Sequence, residues 1–151
     1  MKLVSVNLGA IANAFEQPEG KSENFLDTQT GRILKINYAR MWDEEIAATR
    51  LLIGADRDGR YVAIPKLDAR VIVRDMADFA RTVQDERLQR GLQRALIGHR
   101  RNHNFLAILE HYTNVRTRWY AFKDARMRER VLKWMESVGI AAANDTDLPG
   151  F

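Results

Sequence analysis

The chain has 151 residues, 46% hydrophobic and 29% charged, which is ordinary globular usage and excludes a disordered composition. It contains no cysteine, which excludes disulfides and thiolate zinc sites, and no apolar run approaches the roughly 20 residues that span a bilayer. Its net charge of +4 is uneven: residues 1–60 hold eight Lys and Arg against nine Asp and Glu, whereas residues 61–151 hold sixteen against eleven.

The opening Met-Lys-Leu-Val-Ser-Val-Asn-Leu-Gly is too often interrupted by polar residues for a secretory signal, so a cytoplasmic protein with no membrane contact is expected. Ser5 or Asn7 caps a short helix carrying Leu8, Ile11, Ala12 and Phe15, which must stop near Pro18. Residues 25–36 read as a β-hairpin, with Gly31 supplying the positive φ of its turn. A helix follows from about Asp43 to Ile53, its acidic first residues matching the positive end of the helix dipole. Arg60 to Pro65 is a short extended segment.

Asp68 caps a helix whose apolar residues Ile72, Met76, Phe79, Ala80 and Val83 share a face. Asp85 caps another with Leu88, Leu92, Ala95 and Leu96, ending at Gly98. Asn102 or Asn104 opens the next, which carries Phe105, Ile108, Leu109 and Tyr112. Thr117 to Phe122 reads equally as a strand or as the start of the last helix. Met127, Val131, Trp134, Met135 and Val138 give that helix its stripe, closed by Gly139. The chain from Ala141 onward reads as loose, with 144–151 as a flexible tail beyond one compact domain of residues 1–143.

Between Arg87 and Lys133 twelve basic residues face only Glu110, Asp124 and Glu129, and eighteen of the chain's 24 cations are Arg. The planar guanidinium fork suits phosphate and carboxylate, so the expected partners are nucleic acid or an acidic protein, against a merely solvated helical surface. Arg94, Arg100, Arg101, Lys123, Arg126, Arg130 and Lys133 are the candidate anion-binding residues. The loop Gly98-His99-Arg100-Arg101-Asn102-His103-Asn104 leads into a helix N-terminus, where free N–H groups favour a phosphate, although an ordinary capped loop has the same pattern. Lys123, Arg126, Arg130 and Lys133 line one helical face and either follow a phosphate backbone or lay their stems over the core edge. Trp119, Tyr120 and Phe122 beside them stack on bases or belong to the core.

His99 and His103, four residues apart, would share a helical face with Glu110 as metal ligands do. Gly98 and the asparagines argue that the helix starts after His99, which removes that geometry and leaves a metal at His99 and His103 as the lesser alternative. Asp75 with Asp78, and Asp43-Glu44-Glu45, read as solvated helix surface or first-turn residues rather than an acid–base pair. No catalytic motif and no cofactor motif is present, so a non-enzymatic binding module leads, with a protein-interaction adaptor and an enzyme of unknown type as alternatives.

The series Leu26-Asp27-Thr28-Gln29-Thr30-Gly31, Arg60-Tyr61-Val62-Ala63-Ile64-Pro65, Met76-Ala77-Asp78-Phe79, Trp119-Tyr120-Ala121-Phe122 and Trp134 to Ile140 resembles an uncharacterised, mainly bacterial protein family. The resemblance covers residues 5 to 140 in the right order. It departs at the Gly98–Phe105 loop, where the second glycine of the family's basic loop is missing. The resemblance implies a domain and no reaction, cofactor or ligand. The fold class expected is α+β, a mostly helical single domain with a small N-terminal β-hairpin and four or five helices.

Overall fold

The computed structural model describes residues 1–143, so the expected tail at 144–151 lies outside the described residues. Among the described residues six helices and five strands follow the α+β order, and the described chain divides into two units. Met1–Lys66 groups with the chain from Met127 onward, and Leu67–Arg126 forms the other unit.

In the first unit, helix α1 (Leu8–Phe15) is capped by Asn7, whose side chain accepts a hydrogen bond from the Ala10 N–H at 3.0 Å. Its apolar residues Leu8, Ile11 and Phe15 are buried, and the Phe15 ring meets Trp134 edge-on at 5.8 Å. The hairpin forms as expected, from β2 (Ser22–Asp27) and β3 (Ile33–Asn37), with Gly31 at φ 77°. Strand β4 (Tyr61–Ala63) pairs antiparallel with the other edge of β2, giving the order β3-β2-β4. Helix α2 (Asp43–Gly54) lies against β3 and buries none of its residues completely.

Two short strands escape sequence reading. Strand β1 (Lys2–Val4) pairs in parallel with β5 (Ile140–Ala142), Lys2 opposite Ile140 and Val4 opposite Ala142. Gly139, at φ 80°, turns the chain into β5. The expectation that Ala141 begins a loose tail is therefore corrected: Ala141 and Ala142 are held by a ladder to the N-terminus.

The second unit packs helices α3 (Ala69–Ala80), α4 (Glu86–Ala95) and α5 (Arg101–Leu109) pairwise against one another, with the first half of α6 (Thr113–Ser137). Asp68 and Asp85 cap α3 and α4 through the N–H groups of Arg70 and Leu88. Phe79, Leu92, Phe105, Leu109 and Trp119 form a single buried core. Thr117 to Phe122 is helix, so the last helix begins at Thr113 and runs 25 residues. Trp119 settles the matter locally: on a helix it meets Phe79 at 5.5 Å and Phe105 at 5.2 Å between ring centroids. Val83 lies beyond the end of α3 yet stays in this core. Helix α5 is opened by Arg100, in the left-handed region at φ 56°, and not by Asn102 or Asn104.

Candidate phosphate-binding surface

The sequence offers many arginines, and the structure sorts them by what their guanidinium groups already hold. Arg126 Nη1 donates to Asp75 Oδ1 at 3.1 Å and to Asp78 Oδ2 at 2.7 Å, and its guanidinium sits 4.7 Å from the Phe122 ring centroid. Asp75 is only 3% exposed, which corrects its reading as a solvated surface carboxylate: it is a buried charge kept in place by Arg126. The same Arg126 bond holds the Asp78 carboxyl below its ordinary value, and Arg81 pairs with Asp78 from the other side. Arg118 stacks over Phe79 and bonds Thr82, and Arg70 closes on Asp68, lowering that carboxyl to about 2. These cations serve the fold.

Five others are placed differently. Leu88, Leu92 and Ala95 turn one face of α4 into the core, so Arg87, Arg90 and Arg94, at spacings of three and four, stand exposed on the face away from it. Five residues separate α4 from α5; Arg100 ends that turn and Arg101 opens α5, both exposed. Arg90 and Arg101 donate to the Glu86 and Gly98 carbonyls, and none of the ion pairs among the described residues engages any of these five arginines. Residues 98–103 also border an open cleft of about 540 Å³ with Ala69, Arg70 and Val73 of α3. The unit as a whole holds twelve Lys and Arg against seven Asp and Glu, a net of +5.

The remaining sequence candidates fall elsewhere. Lys123 and Arg130 are half-buried on α6, Arg130 contacting Met127 Sδ at 3.6 Å, and Lys133 is exposed. Lys123 and Arg126 belong to the second unit, Arg130 and Lys133 to the first. Trp119 is 1% exposed and Phe122 is half-buried against it, so of the three aromatics considered for base stacking only Tyr120 reaches the surface. His99 lies in the turn before α5 and His103 within its first turn, both exposed, and no helix runs through the pair. Among the described residues no group of three His, Asp or Glu side chains gathers as a metal site. Arg87 and Arg90, exposed beside Arg94, were not among the candidates drawn from the sequence. Their signal was available in the sequence, as the polar complement of the Leu88, Leu92 and Ala95 face.

The motifs that carry the family resemblance prove to be architectural. Asp27 accepts Arg60 Nε at 3.0 Å and Arg60 Nη2 at 2.8 Å, and also the Gln29 N–H at 2.9 Å, so its carboxyl is held well below the usual carboxylate range, chiefly by Arg60. Thr28 Oγ1 donates to the Arg60 carbonyl at 2.9 Å. A Cβ on Gly31 would lie 1.8 Å from the Ser5 carbonyl oxygen, so this turn admits only glycine. Leu26-Asp27-x-x-x-Gly31 and Arg60 thus pin the hairpin to the third strand and to the segment after β1.

Comparison with known proteins agrees with that reading. The model of the uncharacterised protein family UPF0158 matches residues 2–150. The UPF0158 protein PA5073 of Pseudomonas aeruginosa is 26% identical over 143 residues, covering 95% of this chain and 89% of the relative. No solved structure matches. A series of architectural motifs running almost from end to end, with a family model spanning the same length, places the chain: it belongs to the uncharacterised protein family UPF0158.

Proposed function

We propose that this chain is a non-enzymatic binding module whose second unit holds nucleic acid through Arg87, Arg90, Arg94, Arg100 and Arg101. The observation that carries the reading is that these five exposed guanidinium groups are spared by the ion pairs that occupy Arg70, Arg81 and Arg126 in the same unit. Arginines without a carboxylate partner, gathered on α4, the turn after it and the start of α5, repel one another, and a polyanion removes that repulsion while releasing its own counterions. Arg126, with Asp75 and Asp78 on it, is not part of this surface.

Binding of fluorescent DNA and RNA, single- and double-stranded, across a salt series tests the reading. Affinity for duplex DNA should fall by about 0.9 log unit per log unit of salt for each phosphate contacted. Replacing Arg87, Arg90 and Arg94 together with Ala should flatten that slope by up to about 3 × 0.9 while leaving the fold intact, because none of the three is buried. No binding at low salt overturns the proposal. A second reading, an adaptor for a protein partner, is favoured by α2 and the residue that caps it, Leu51 being 74% exposed and Trp42 75%. It is the reading that remains if nucleic acid does not bind.

A further inference from the structure

Resting on that reading, the geometry points to a narrower one: α4 and α5 act as a helix–turn–helix, and the exposed first turn of α5 enters the major groove of duplex DNA. Three observations converge on it. First, α3, α4 and α5 pack pairwise around one core, and the last two are joined by a turn of five residues containing Gly98 at φ 89°. Three helices in this order, with a glycine-bearing turn before the third, is the supersecondary arrangement that presents a helix to a groove. Second, α5 divides cleanly: Phe105 and Leu109 are fully buried, while Arg101, Asn102, His103 and Asn104 are all exposed. The helix is thus anchored by its second half, while its first turn is exposed beside the open cleft it shares with the start of α3. Third, the residues flanking it are of the type that grips phosphate, with Arg87, Arg90 and Arg94 on the exposed face of α4 and Arg100 in the turn.

The side chains on α5 match the chemistry of base edges. Arg reads the paired acceptors of guanine, and Asn reads the donor and acceptor of adenine. Asn104 is partly committed, since its Nδ2 donates to the His99 carbonyl at 3.2 Å. Arg101 keeps its terminal nitrogens, because only its Nε is spent, on Gly98. Arg101, Asn102 and His103 are therefore the base readers, and the α4 arginines fix register on the backbone. The ligand class follows from groove width. B-form DNA admits a helix in its major groove, whereas the major groove of duplex RNA is too narrow for side chains to read.

The test is selection from a randomised duplex DNA library by the full chain, run beside an Asn102→Ala/His103→Ala variant, with RNA duplexes as competitors. Both substituted side chains are exposed, so the variant's circular dichroism and melting should match the parent's. The parent should enrich a short motif and prefer it to duplex RNA. The variant should keep its binding to random DNA but lose preference for the motif by about tenfold or more. Enrichment of no motif, the same motif from the variant, or RNA duplexes competing as well as DNA overturns this inference and leaves nucleic-acid binding standing. Failure of the parent to bind any nucleic acid overturns both.

Discussion

At the scale of single residues, two contacts decide whether the first unit forms. Gly31 combines a φ of 77° with a carbonyl oxygen where its Cβ would be. Gly31→Ala should cost at least about 3 kcal/mol, the sum of left-handed strain and a forced shift of the segment around Ser5, read by urea denaturation. Asp27 is the second. Its carboxyl is depressed in the folded chain, so the stability it lends is complete above the unfolded carboxyl value near ~4 and is lost as pH falls below that. Melting between neutral pH and about pH 3 should show that loss in the parent. An Asp27→Asn/Arg60→Met variant should start lower and lose less over the same range. Both contacts lie in the most recognisable motifs of the chain.

At the scale of elements, the question is which helix faces are spoken for. Helix α6 reads in sequence as a basic stripe, yet Arg126 faces inward to Asp75 and Asp78 of α3. Arg126→Ala removes the guanidinium shared by Asp75 and Asp78, and should lower stability by about 1–3 kcal/mol, under a fully buried pair because the Arg126 side chain is 36% exposed. The variant's affinity for nucleic acid should not change, which separates this arginine from those on α4. Helix α4 behaves as its pattern dictates. Its buried Leu88 and Leu92 fix the opposite face, and with it the placing of Arg87, Arg90 and Arg94. Why α5 begins at a left-handed Arg100 rather than at an asparagine has no local signal; the turn is set by where Phe105 and Leu109 must reach the core.

At the scale of the whole molecule, charge and architecture coincide. The unit Leu67–Arg126 carries a net of +5, and the remainder of the chain twelve Lys and Arg against thirteen Asp and Glu, a net of −1. The positive charge is thus concentrated in one unit, the one in which binding is proposed. With phosphate contacts from Arg87, Arg90, Arg94 and Arg100, the expected loss of affinity between 50 and 200 mM salt is about a hundredfold. Among the described residues no helix is long and apolar enough to cross a membrane.

The sequence by itself determined the helices with clear caps and one apolar face, α1, α3 and α4, because Asn7, Asp68 and Asp85 act on N–H groups a few residues away. It determined the hairpin too, since Gly31 and the flanking apolar runs are local signals. The series of motifs was enough to indicate the family. Only tertiary structure decided the pairing of β1 with β5, which joins residues at opposite ends of the chain through three-residue strands with no pattern of their own. Only tertiary structure separated the arginines that pair with carboxylates from those outside any ion pair. A guanidinium's partner is chosen by proximity in space: Arg126 finds Asp75 across 51 residues of chain, a separation at which sequence spacing carries no information.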